Sequence, residues 1–368
     1  MQPAYTTTRN LDALRIIAAC AVVVLHYSDY VKDVPVGQFM VAHVWHFNLF
    51  VDLFFVVSGF VIASQYLGRV ADGRAIGRFI WRRLARIYPL HLATLAFYVL
   101  IALALYFGAA RTDNAARYPF SDLPAQFLLL HAFDGARLTF NFPSWSLSAE
   151  MFCYVLFPLV GLLVTRGRAV VLALIVVPAF ANTVYAHVAG TGSWAHWINQ
   201  GGAFRGLPAF NLGIACWLYR DQIARWPIIP GAVTSLLAAY ILFGSFVPEM
   251  VDLLIIYVIA VLAIQCDCAN RATTLMRLGL DRGSQWTYSC YMLHLPVATV
   301  ILTFGARYLE PYLPGGRLTL IPVALMVLAF GSVLSLRYFE TPVRRYLNDA
   351  YDRRVGRQMP AAVTDIPR

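Results

Sequence analysis

The stretch RNLDALRIIAACAVVVLHY, residues Arg9 to Tyr27, decides how the rest of the chain is read. It is apolar enough to be a lipid-embedded helix, yet it carries Arg15 and His26. Eleven positions at about 100° each come within about 20° of three full turns, so the two side chains share a face, roughly 16 Å apart along the axis. An ionisable group at bilayer depth is expensive unless it faces a bundle interior, a partner or water. The polar stripe therefore marks a candidate site, or else Arg15 snorkels to a headgroup and His26 is a hydrogen-bonded packing residue. Ile17-Ala18-Ala19-Cys20 looks like a lipoprotein cleavage site, but the four residues between Arg15 and Cys20 are too few for a signal core of about 7 to 15 apolar residues. The segment is expected to persist as the first helix.

Composition extends that reading to the whole chain. Sixty per cent of the 368 residues are hydrophobic and 13% are charged, against about a quarter charged in a soluble domain. An all-α, polytopic membrane bundle is expected. The net charge of +10 is almost all arginine, Lys32 being the one lysine, and the arginines fall between apolar runs. Membrane topology explains that placement more simply than nucleic-acid binding does. The six cysteines are scattered, giving neither a disulfide framework nor a metal site. No internal repeat, glycine-rich phosphate loop, zinc signature or serine-hydrolase elbow is present, so no metal is expected.

About ten spans of membrane length can be drawn: Leu11 to Val31, Phe47 to Leu67, Leu90 to Gly108, Trp145 to Val164, Ala169 to Val188, Phe204 to Tyr219, Ile228 to Phe246, Val251 to Cys266, Trp286 to Ala306 and Leu318 to Leu336. Pro158, Pro178, Pro208, Pro230 and Pro296 fall inside them and should kink or break helices. With both termini cytoplasmic, 22 of the 29 basic residues lie inside, which favours that orientation. The longest outer connection, Ala109 to Phe142, holds Asp113, Asp122, His131 and Asp134 and either covers an acceptor site or is a solvated loop. Residues 1–347 form the membrane domain on this reading, and 348–368 a polar cytoplasmic tail.

Further polar residues fall at matching depths. Asp52 lies about one turn inside the second span, with Ser58 near its middle, and it could orient His26 or cap a helix at the interface. Glu150 lies inside the fourth span, behind Trp145, with Tyr154 at i+4 on the same face. His294 is placed mid-membrane beside Pro296, and Arg205, at the outer edge of the sixth span, would match an anionic acceptor. Between the second and third spans, Arg82, Arg83 and Arg86 make a cluster suited to phosphate groups or to lipid headgroups.

Taken together these motifs resemble the acyltransferase-3 family of integral membrane O-acyltransferases. The likeness is carried by Arg9, Asp12, Arg15 and His26, by VDLFFVVSGF (Val51 to Phe60), RRLARIYP (Arg82 to Pro89) and PSWSLSAEMFCYVLFP (Pro143 to Pro158). YSCYMLHLP (Tyr288 to Pro296) and ETPVRRYL (Glu340 to Leu347) complete it. Six motifs in order cover nearly the whole chain, although Ala13 stands where glycine is common. The resemblance implies transfer of an acyl group, usually acetyl, from cytoplasmic acyl-coenzyme A to a hydroxyl of a carbohydrate at the other face of a bacterial inner membrane. Many members carry a fused SGNH hydrolase-like domain, and since the chain ends too early for one the stand-alone form is expected. It assigns Arg15 and His26 to the family's arginine, ten residues, histidine motif, and Arg83 with Arg86 to its coenzyme-linked pair. The expected mechanism has His26 as general base, oriented by Asp52 or Glu150, with Arg15, Arg82, Arg83 and Arg86 on the donor and Ser58, Trp145, Tyr154, Arg205 and His294 lining the site. A covalent acyl-enzyme on Ser58, Ser146 or His26 stays open. So does a transporter or flippase in which His26, Asp52, Glu150 and His294 relay protons, though no inverted repeat supports it.

Overall fold

A computed structural model describes residues 8–357 except 71, 113, 135–136 and 230, and the regular elements among them are all helical. Asp113, Pro230 and positions 358–368 of the expected tail therefore lie outside the described residues. The principal helices are α1 (Arg9–Ser28), α2 (Phe50–Tyr66), α3 (Gly73–Tyr106), α4 (Trp145–Val164), α5 (Val170–Ala189), α6 (Gly202–Leu218), α7 (Ala232–Phe243), α8 (Glu249–Cys268), α9 (Thr287–Ala298), α10 (Leu320–Leu334) and α11 (Thr341–Arg357). Among the described residues, eight helical stretches are long and apolar enough to cross a membrane. The other two expected spans are helices α6 and α7, of 17 and 12 residues. At 1.5 Å per residue they reach only about 26 Å and 18 Å, short of a hydrocarbon core of about 30 Å.

Two expected boundaries move. The arginine-rich segment expected as a connection is the first half of α3, a continuous helix of 34 residues with Pro89 inside it. Its start is fixed by Asp72, whose carboxylate accepts from the backbone N–H groups of Arg74 (2.9 Å) and Ala75 (2.8 Å). At the other end of the chain, α10 passes through a π-helical turn, Ser335–Glu340, into α11, so the helix runs through position 347 to Arg357. Glu340 secures that turn by accepting from Ser289 (2.6 Å) and Ser335 (2.7 Å). Trp81 then binds α11 to α3, its indole N–H donating to the Leu347 carbonyl (3.1 Å) and its ring stacking on Tyr351.

The start of helix α1 is docked on α8, which satisfies its free N-terminal donors. Asp267 accepts from the backbone N–H groups of Asn10 (2.9 Å) and Leu11 (3.1 Å), and from the Asn10 side chain (2.7 Å). A carboxylate suits this place because the first turn of a helix has unpaired N–H groups and the positive end of the dipole.

Helices α2 and α6 approach each other backbone to backbone in the core. A Cβ on Gly59 would collide with the Phe210 carbonyl, and one on Gly213 with the Val56 carbonyl. Small residues let membrane helices meet at this range, where packing rather than hydrophobic burial holds them together. Gly59→Ala or Gly213→Ala should therefore push α2 and α6 apart and cost about 1–3 kcal/mol by overpacking. Thermal unfolding of the detergent-solubilised variants against wild type measures this, and an unchanged midpoint would contradict the close approach.

Candidate active site

Three cavities follow one another along the bundle. The first, a vestibule, is lined by Tyr66, Arg69, Arg74, Arg78, Arg82 and Tyr351. The second, of about 820 Å³, is lined by Arg15, Ser58, Arg83, Arg86, Glu150 and Tyr154. The third, of about 790 Å³, is lined by His26, Asn48, Phe142, Trp145 and Arg205. Val51 and Tyr291 border both the second and the third, so one thin wall separates them. Between vestibule and second cavity stands an Arg83 to Tyr66 hydrogen bond of 2.9 Å.

Helical geometry divides the arginine cluster. Positions 83 and 86 lie about 60° apart around α3, whereas 82 and 83 are about 100° apart. Arg83 and Arg86 accordingly enter the second cavity, while Arg82 faces the vestibule, 3.7 Å from Asp352 on α11. Arg15 also lines the second cavity, and Asp12 is its partner at 3.3 Å. Among the described residues neither Arg83 nor Arg86 has an ion-pair partner, so this cavity carries an excess of positive charge.

Opposite those arginines, Glu150 accepts from the Tyr154 hydroxyl (2.5 Å) and the Ser58 hydroxyl (2.7 Å). Tyr154 follows Glu150 at i+4, as the sequence spacing predicts, but the link to Ser58 crosses from α4 to α2. Glu150 is thus engaged by two hydroxyls rather than by His26.

Asp52 departs further from expectation. It is fully buried and paired with fully buried Arg205, at 2.5 Å and 3.1 Å from two guanidinium nitrogens. The remaining Arg205 donors reach the Trp197 carbonyl and Asn48, each at 3.2 Å, and Trp145 stacks beneath the guanidinium. Arg205 therefore has its counter-ion inside the protein and is not a free cation for an anionic acceptor. Asp52 likewise does not orient His26. The physical reason is common to both corrections: each charge is dearest when unpaired, and each is the other's nearest partner.

His26 instead meets His294. Its Nδ1 is 3.0 Å from His294 Nε2, with ring centroids 4.9 Å apart, and Phe142 meets the imidazole edge-on at 5.3 Å. Arg117, from the outer connection, lies over the ring of Phe142. Among the described residues Asp52, Glu150 and the histidine pair thus occupy three separate hydrogen-bonded sets. His131, in the outer connection, is held by Ser144 (3.0 Å) beside His91, and burial followed by the neighbouring imidazole pushes it down to about 4. It borders none of the three cavities.

Sequence reasoning missed Tyr291 and Val51 as the shared wall, and Phe142 and Arg117 beside His26. Val51 and Tyr291 do fall inside two of the motifs quoted above, but their residue types do not tell a cavity wall from ordinary packing, and nothing in the local sequence marks Phe142 or Arg117. The Asp52 to Arg205 pair, by contrast, makes a direct prediction. Asp52→Ala leaves Arg205 charged and buried and should cost about 3–5 kcal/mol of stability, whereas a double change to Asp52→Leu with Arg205→Met should recover most of it. Thermal denaturation of the three proteins checks this, and additive losses in the double variant would contradict it.

Comparison with known proteins agrees with this architecture. Residues 8–337 match the acyltransferase-3 family, whose sequence model is described as an acyltransferase domain. Acyltransferase MdmB of Streptomyces mycarofaciens is 26% identical over 411 aligned residues, covering 100% of this chain and 97% of that protein. Protein 2 in the picA locus of Rhizobium radiobacter is 30% identical over 156 residues, 38% of this chain and 75% of that protein. No solved structure matches significantly. The match across nearly the entire helical bundle makes this chain a membrane acyltransferase of the acyltransferase-3 family.

Proposed function

We propose that the protein transfers an acyl group, acetyl in the first instance, from acyl-coenzyme A to a hydroxyl of a carbohydrate acceptor. The observation that carries this reading is the pairing of two cavities across one wall, the second rich in unpaired arginine and the third bordered by His26. Coenzyme A is an anion at its nucleotide end and neutral along its pantetheine arm. The vestibule and second cavity offer Arg82, Arg83 and Arg86 for phosphate oxygens, which guanidinium groups bind in a forked geometry. Past the Arg83 to Tyr66 contact the arm would run toward Val51 and Tyr291, bringing the thioester to the wall. Arg15, Ser58, Glu150 and Tyr154 line that route and can hydrogen-bond the arm's amides.

The acceptor hydroxyl enters from the third cavity. His26 takes its proton as the hydroxyl oxygen attacks the thioester carbonyl carbon. A carbon–oxygen bond forms, the carbon–sulfur bond breaks, and the proton held on His26 passes to the departing thiolate. General-base catalysis of this kind contributes typically about 10²- to 10⁴-fold. Trp145 and Phe142 supply flat apolar faces and Asn48 a polar group, a combination suited to a sugar ring. The arginine-rich vestibule is assigned to the cytoplasm, in keeping with the distribution of basic residues, which puts both chain ends on that side of a bacterial inner membrane.

His26→Ala in folded, membrane-inserted protein should lose about 10²-fold or more in turnover while still binding acyl-coenzyme A. Wild-type turnover would remove the proposed base. Arg83→Ala and Arg86→Ala should each raise KM for the donor much more than KM for the acceptor, as read from initial rates with each substrate varied in turn. Equal effects on both would contradict the donor assignment.

A further inference from the structure

His294 is fully buried, does not border the third cavity, and touches His26. Its hydrogen bonds allow the protons on both rings to be placed. His294 Nδ1 is 2.5 Å from the Tyr291 carbonyl oxygen. A carbonyl only accepts, so Nδ1 carries the hydrogen. In the neutral imidazole the other nitrogen is then a bare acceptor. That acceptor, Nε2, faces His26 Nδ1 at 3.0 Å, so the hydrogen between the rings belongs to His26. Neutral His26 is left with a lone pair on Nε2, the nitrogen His294 does not engage and so the one left for the cavity His26 lines, while the Val22 carbonyl one turn back on α1 is a further acceptor for the imidazole N–H.

The backbone around His294 is built to hold this arrangement. Pro296 has no N–H, so the carbonyl four residues earlier, on Met292, loses its helical donor. Asn141 replaces that donor at 3.1 Å. Tyr27, adjacent to His26 on α1, donates to the His294 carbonyl at 3.1 Å and ties the two helices at the level of the two rings. Beyond Ala298 the helix widens into a π-helical turn, Thr299–Gly305. Such turns recur near functional sites because they reset the direction of the side chains on either side.

We propose that His294 is a positioning residue for acyl transfer, holding His26 in the tautomer with hydrogen on Nδ1 so that Nε2 is bare toward the acceptor. The assignment rests on His26 being the base. The hydrogen bond made by one ring nitrogen determines which tautomer the other presents, and an Nε2–H tautomer of His26 cannot take a proton from a hydroxyl on that side. His294 itself sits at a dead end for protons, since its Nδ1–H is closed by a carbonyl.

The test uses full-length protein carrying His294→Phe, His294→Gln, His26→Ala and the His26→Ala, His294→Phe double change. Phenylalanine keeps a ring but offers no acceptor; glutamine has a carbonyl oxygen that can accept from Nδ1. His294→Phe should lower kcat about tenfold or more while leaving KM for both substrates unchanged, and His294→Gln should restore most of it. The double variant should be no slower than His26→Ala alone. Nitrogen-15 NMR of histidine-labelled wild-type protein should show His26 with hydrogen on Nδ1, and this reads the tautomer even if His294→Phe folds poorly. An inactive His26→Ala beside a fully active His294→Phe would overturn the positioning role and leave the base standing. A fully active His26→Ala would overturn the base and the positioning role with it. Hydrogen on His26 Nε2 in the wild-type spectrum would overturn the tautomer assignment directly.

Discussion

A polar side chain enclosed by hydrocarbon has no water to turn to, and this constraint organises the bundle. Several of its buried charges and imidazoles find their partners on other helices. Asp267 of α8 takes the first turn of α1, Asp52 of α2 takes Arg205 of α6, and His26 of α1 takes His294 of α9. Because each bond joins elements far apart in the chain, the polar groups fix how the helices are set against one another. Lipid-facing packing alone would leave those settings loosely specified.

The same constraint separates structure from chemistry. A pair such as Asp52 with Arg205 neutralises itself inside the protein and has little charge left to offer a substrate. The second cavity is different: Arg83 and Arg86 face a lined space without a carboxylate of their own, and Glu150 is engaged by hydroxyls instead of by those cations. An excess of one charge beside an open volume is costly for the protein alone and is relieved by a ligand of opposite sign. The histidine pair stands between the two cases, since one ring is buried and closed while the other keeps a free nitrogen at a cavity wall.

Much of the fold was legible in the sequence because hydropathy and arginine placement are local signals. The runs that became α1, α2, α4, α5, α8, α9 and α10 could be drawn from composition alone, and the six motifs pointed to the family. Where the expectation erred over the arginine-rich connection, a tertiary partner had extended the helix. Trp81, Tyr351 and Asp352 hold α11 against the first half of α3, so a stretch that reads as a charged connection is helix from Gly73 onward. Helix α6, Gly202–Leu218, keeps nearly the bounds drawn for it, Phe204 to Tyr219, and meets α2 closely at Gly59 and Gly213.

By itself the sequence determined that this is a helical membrane protein with ionisable side chains placed where they are expensive, and its motifs determined the family. It could also place Arg15 with His26 on one helical face, and Glu150 with Tyr154, because those relations depend only on 3.6 residues per turn. Which buried groups pair was decided by tertiary structure alone. Asp52 and Glu150 stood at plausible depths to orient His26, yet Arg205 and Ser58 claimed them, and the imidazole met His294, 268 positions away. Depth in a bilayer can be estimated from position along a helix; the neighbour a side chain faces at that depth depends on how helices remote in sequence rotate and cross, which no local periodicity records.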